Sequence, residues 1–192
     1  MRTLSFTAAA ALLLAGCGST DRGIPSSLLR QARPIGRGVA FHPAARGPVI
    51  GPCKAALGAR EATHVEVFAQ NRVVLLAAGI GTVAPRSSFA GRITRARCYG
   101  ALATLDPTGL VLTRPGSRLT VSDLFRSWGQ TISRRQIASF HAPAGTEVAV
   151  FVDGRSWRGA PGSVPLSRHA EIVLEVGPHV PPHASYHFPP GT

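Results

Sequence analysis

His64-Val65-Glu66-Val67-Phe68 alternates polar with apolar side chains, and a similar stretch returns as Glu147-Val148-Ala149-Val150-Phe151. A period of two sends successive side chains to opposite faces, so both stretches are expected to be half-buried strands. They lie at a constant offset of 83 residues: Val65, Val67, Phe68 and Arg72 match Val148, Val150, Phe151 and Arg155. Each is followed by a turn, Gln70-Asn71-Arg72 in the first and Asp153-Gly154 in the second, the latter a strong tight-hairpin signal. Two readings fit: a duplicated hairpin unit, or the general likeness of one hairpin to another.

Working outward, Val73 to Ala78 is expected to return as a second strand, broken at Gly79-Ile80-Gly81. Residues 82–92 show no period and are read as loop. Cys98 to Leu105 is a further strand candidate. Asp106-Pro107-Thr108-Gly109 then makes a turn, with Pro second and Gly fourth, and Leu110 to Thr113 pairs back. The best helix starts at Thr120, with Asp123 placed to cap it. Val121, Leu124, Phe125 and Trp128 lie on one face, and Gly129 ends it. Phe125 and Trp128 read as core. Ile172 to Val176 is a last strand, ending at Gly177. The fold class is therefore α+β, mainly antiparallel β hairpins with one short helix.

The N-terminus carries an address. Arg2 precedes an apolar run from Ala8 to Ala15, too short to span a bilayer as a permanent helix. The run ends at Leu14-Ala15-Gly16-Cys17, which resembles the lipobox of bacterial lipoproteins. That resemblance implies cleavage after Gly16 and a diacylglyceryl group on Cys17. The chain would then be exported and held by lipid on the periplasmic face or the cell surface. Two or more acyl chains hold far better than one, since each buried methylene contributes about 0.8 kcal/mol. Residues 1–16 are thus the signal peptide, 17–47 a flexible Gly/Pro/Ser/Arg-rich tether, 48–177 the globular domain, and 178–192 an extended Pro/His-rich tail. In that tail Tyr186 and Phe188 are the groups able to dock.

There are three cysteines. With Cys17 assigned to lipid, Cys53 and Cys98 remain, and an even pair in an exported protein reads as a disulfide; two free buried thiols are the alternative. The net charge is +12, nearly all arginine, with Lys54 the only lysine. Nucleic-acid or anionic-surface binding and a GC-rich codon bias both fit. The arginines are scattered apart from Arg92/Arg95/Arg97 and Arg134-Arg135, and no aromatic-interleaved basic run appears. Solvated surface is favoured, with anionic headgroups or an anionic envelope polymer as the remaining partner class and nucleic acid set aside.

Several pieces in order resemble a family of uncharacterised bacterial secreted and lipid-anchored proteins. They are Cys53, His64 to Phe68, Ala78-Gly79-Ile80-Gly81, Cys98, Thr104 and Asp106. Phe125-Arg126-Ser127-Trp128-Gly129, Phe151-Val152-Asp153-Gly154 and Tyr186-His187-Phe188-Pro189-Pro190-Gly191 complete the set. The resemblance covers about residues 48–191. It implies alternating histidines on neighbouring strands, a donor set suited to zinc or copper. Here those positions read Arg60, Ala62 and His64, then Ala103 and Leu105, leaving His64 and Asp106. Two ligands do not make a metal site of ordinary affinity, so no metal and no cofactor is expected. His179, His183 and His187 recur every four residues, but neighbouring prolines forbid the helix that would align them, so they are only weak metal candidates.

No Gly-x-Ser-x-Gly and no phosphate-binding glycine loop is present. Asp106 and Asp123 are explained by a turn and a helix cap, so general acid–base chemistry has little to work with. The expectation is a non-catalytic envelope lipoprotein that binds an envelope partner or supports envelope structure. A copper- or zinc-handling protein with a degenerate histidine site is the alternative, and an envelope-polymer hydrolase the third.

Overall fold

The computed structural model describes residues 33–178 and 186–192. Residues 1–16, expected to be a signal peptide, and Cys17, His179 and His183 lie outside the described residues. Among the described residues no helix is long and apolar enough to cross a membrane.

The chain runs β1 (Glu61–Ala69), β2 (Arg72–Val73), β3 (Thr82–Phe89), β4 (Arg92–Tyr99), β5 (Leu102–Ala103), β6 (Leu110–Thr113) and α1 (Val121–Trp128). Then follow β7 (Ile132–Ser133), β8 (Gln136–Ile137), β9 (Phe140–His141), β10 (Ala149–Val152), β11 (Arg155–Ser156) and β12 (Glu171–Val176). The main sheet has the order β11-β10-β12-β1-β6-β5, with β2 also on β1. β3–β4 and β7–β8–β9 form two small antiparallel sheets. The fold is thus mostly strands with one short helix. The central pair is the departure from an all-hairpin reading: β1 and β12 run parallel, with His64 opposite Glu171 and Ala69 opposite Val176.

Strand alternation splits the core in two. Val65, Val67 and Ala69 of β1, with Ile172, Leu174 and Val176 of β12, face α1 and meet Leu124, Phe125 and Trp128. On the other face Ala62, Leu110 and Leu112 meet Ile93, Ala96 and Tyr99 of β4, with Tyr186 and Phe188 of the tail laid alongside. β1 is therefore covered on both faces, not half-buried as its alternation suggests.

α1 forms as its residues dictate. The Asp123 carboxylate accepts from the Thr120 N–H at 2.9 Å and from the Thr120 hydroxyl at 3.2 Å. Gly129 closes the helix at φ 75°. The two matched hairpins also share their register: Phe68 opposes Val73 and Ala69 opposes Arg72, while Phe151 opposes Ser156 and Val152 opposes Arg155.

Three expectations need correction. Residues 82–92 are not loop but most of the β3–β4 hairpin. Apolar periodicity is missing there because the ribbon is largely exposed and touches the core mainly through Ile93, Ala96 and Tyr99 of β4. Cys98 to Leu105 is not one strand. It is interrupted at Gly100-Ala101, where the Gly100 N–H donates to the Gly81 carbonyl at 2.8 Å. Residues 33–47 are not free tether. Trp128 Nε1 donates to the Phe41 carbonyl at 2.6 Å, the Phe41 ring packs 6.1 Å from Trp128, and Ile35 bridges to Val74.

Cys53 and Cys98 are joined by a disulfide, with Cα atoms 5.4 Å apart. It ties the end of β4 to the strip that precedes β1, beside a two-way backbone pairing of Lys54 with Tyr99.

Candidate functional site

Parallel pairing of β1 with β12 places His64 beside Glu171, both almost wholly buried. His64 Nδ1 lies 2.8 Å and 3.0 Å from the two Glu171 carboxylate oxygens. Its Nε2 lies 2.8 Å from the Thr108 carbonyl oxygen. A carbonyl only accepts, so Nε2 donates to Thr108, and where Glu171 is ionised Nδ1 donates as well, an arrangement that favours the imidazolium. Burial pulls its pKa down, but the hydrogen bond and charge of Glu171, the Thr108 carbonyl and the charge of Glu66 prevail and raise it.

The Asp106–Gly109 turn shapes the other side. Asp106 accepts from the Thr108 hydroxyl and from Arg92. The sequence candidates His64 and Asp106 are thus neighbours, linked through Thr108, whose carbonyl holds one and whose hydroxyl holds the other. Gly109 is required here. Its φ is +86°, and a Cβ would sit 2.6 Å from the Val65 carbonyl oxygen and 2.9 Å from His64 Nε2.

The tail closes the arrangement. The Tyr186 ring stacks on the His64 imidazole, centroids 3.8 Å apart and planes 10° apart. Phe188 meets Tyr186 edge-on at 5.0 Å and stacks on His169 at 4.7 Å. Burial, with the charges of Asp106 and Glu171, raises the Tyr186 pKa. The expected docking of Tyr186 and Phe188 is therefore present, while His187 between them is exposed.

Sequence reasoning missed the two glutamates. Ligand atoms of His64, Glu66 and Glu171 all lie within 4.8 Å of one another. Glu66 was legible, being two residues from His64 on one strand face. Glu171 was not, because only the parallel register brings it in. Asp106 and His187 are not members of this trio. As a cation site the trio has a defect: His64 presents no unengaged ring nitrogen, so a metal would have to displace either the Glu171 contact or the Thr108 carbonyl contact. Asp123 is committed to the α1 cap, as expected. The chain matches no protein-family model, no curated protein and no solved structure.

Proposed function

We propose that this chain is an exported lipoprotein, anchored at the bacterial envelope through Cys17, whose domain is a non-catalytic binding or structural module. The observation that carries the reading is the Cys53–Cys98 disulfide, which fits an oxidising compartment and leaves Cys17 as the odd cysteine. The engagement of His64 and Asp106 in structural contacts supports the non-catalytic part. The matched hairpin registers support a duplicated hairpin unit within the domain. The exposed Arg95 and Arg97 of the β3–β4 hairpin, which contains no acidic residue, suit the anionic surface of an envelope.

Intact-mass measurement of the chain extracted from membranes tests the anchor. The expected result is a diacylglyceryl mass at Cys17 that disappears in Cys17→Ser; an unmodified mature chain overturns it. A metal-handling reading is favoured by the His64, Glu66 and Glu171 trio alone. Calorimetry with copper and zinc decides it, and no binding tighter than micromolar retires it.

A further inference from the structure

Beside the second core, Leu57, Arg60, Leu105, Leu110 and Leu112 line one side of a cavity of about 380 Å³ that the tail closes with Pro189, Gly191 and Thr192. That volume is in the range of small-molecule sites. Four leucines supply its apolar wall, and its charge is uneven. Arg60 is only 7% exposed. Its Nε donates to the Leu57 carbonyl at 2.9 Å, and its Nη1 donates to the Gly100 and Ala101 carbonyls at 3.1 and 3.0 Å. Its Nη2 is buried with no hydrogen-bond partner.

No ion pair joins Arg60 to a carboxylate among the described residues. Arg92 and Asp106 also line the cavity, and they pair with each other, so that neither leaves a net charge there. Burial and the repulsion of Arg114 both lower the Arg60 pKa, as expected of a cation without a counter-ion. A buried cation without an anion is costly, and an oxyanion is the group that a planar guanidinium accepts best. Three backbone carbonyls explain how the side chain is held, but they leave its charge unmatched.

We propose that this cavity binds a small amphiphile, with an oxyanion head directed to Arg60 and an aliphatic body against Leu57, Leu105, Leu110 and Leu112. Carboxylate and phosphate heads share the recognition chemistry. The inference concerns the domain alone and stands whether or not Cys17 carries lipid.

The test uses the full chain with Cys17→Ser, so that no detergent competes for the cavity. It is titrated with decanoate, decyl phosphate and decanol below their aggregation concentrations. Amide shifts of residues 57–60 and 110–112 give a local readout, blind to binding elsewhere on the chain. The expected result is that decanoate or decyl phosphate moves these amides and binds at least about tenfold tighter than decanol, the effect of one charge-assisted hydrogen bond. Whichever anion binds tighter identifies the head group. Arg60→Gln should remove that preference. Because Arg60 also pins three carbonyls, Leu57→Trp serves as a second variant: it adds bulk to the cavity lining and should weaken both anions and decanol. Equal affinity for decanol and the anions, anion binding undiminished by Leu57→Trp, or no shift at these amides up to millimolar anion overturns the proposal.

Discussion

His64 combines opposing effects in one side chain. Burial disfavours its charge, yet two acceptors and two nearby carboxylates demand it, and the demand wins. The consequence for stability follows from linkage. A group whose folded pKa exceeds the unfolded value of about 6.5 stabilises the fold fully below that value, and the contribution is lost as pH rises through the folded pKa. Urea unfolding of the full chain across pH 5.5 to 9 should therefore show stability falling on the alkaline side relative to His64→Gln. Parallel curves for the two proteins would contradict the imidazolium assignment. Gly109 gives a sharper expectation, since both its φ of +86° and the 2.6 Å approach to the Val65 carbonyl exclude a Cβ. Gly109→Ala should cost about 2–3 kcal/mol in denaturant unfolding, near the upper end for a strained backbone position. A cost below 0.5 kcal/mol, roughly the effect of a plain surface change, would mean that the turn is looser than described.

At the scale of elements, legibility tracked how local the determining forces are. α1 was readable because its cap, its apolar stripe and its glycine stop all lie within ten residues, Thr120 to Gly129. Asp123→Ala should cost about 1 kcal/mol, the usual price of a lost cap, read as a lower unfolding midpoint. The Asp106–Gly109 turn and its strand Leu110–Thr113 were readable for the same reason. β3 and β4 were not, because Pro85, Arg86, Ser87 and Ser88 carry no apolar alternation and the ribbon is held from outside itself. Ile93 N–H donates to Leu105 O at 2.6 Å, Ala84 N–H donates to Ala45 O at 2.7 Å, and Arg86 reaches the Pro43 and Ala44 carbonyls. The disulfide adds a covalent clamp at the open end of the hairpin. The paired variant Cys53→Ala/Cys98→Ala should lose about 3–4 kcal/mol by the loop-entropy argument. Hydrogen exchange should quicken first in residues 82–99, and protection unchanged there would show that the backbone contacts suffice alone.

For the whole molecule, the informative asymmetry is between the two faces of the main sheet. One face is mainly apolar, with Thr63 and Thr113 its buried polar groups, and is covered by α1 and β7–β9. The other carries His64, Glu66, Glu171 and Glu175 on its two central strands, and His64 is held by Glu171, Thr108 and Tyr186, which arrive from far along the chain. A polar face of this kind stays stable only while its covering segments remain in place, because exposure to water would weaken every charge contact beneath them. The site was only half legible for that reason: His64 and the docking of Tyr186 could be read from composition and order, whereas the Glu171 contact needs a parallel pairing across more than 100 residues. The tail is the least tightly built of the covers, resting on the Tyr186 stack, the Phe188 ring contacts and a few polar contacts near Thr192. Tyr186→Ala should leave α1 and its core untouched but open the polar face. Amide exchange should then accelerate in residues 64–68 and 171–175 and stay unchanged in residues 121–128. Uniform acceleration across both faces would instead mean that the tail supports the whole fold rather than one side of it.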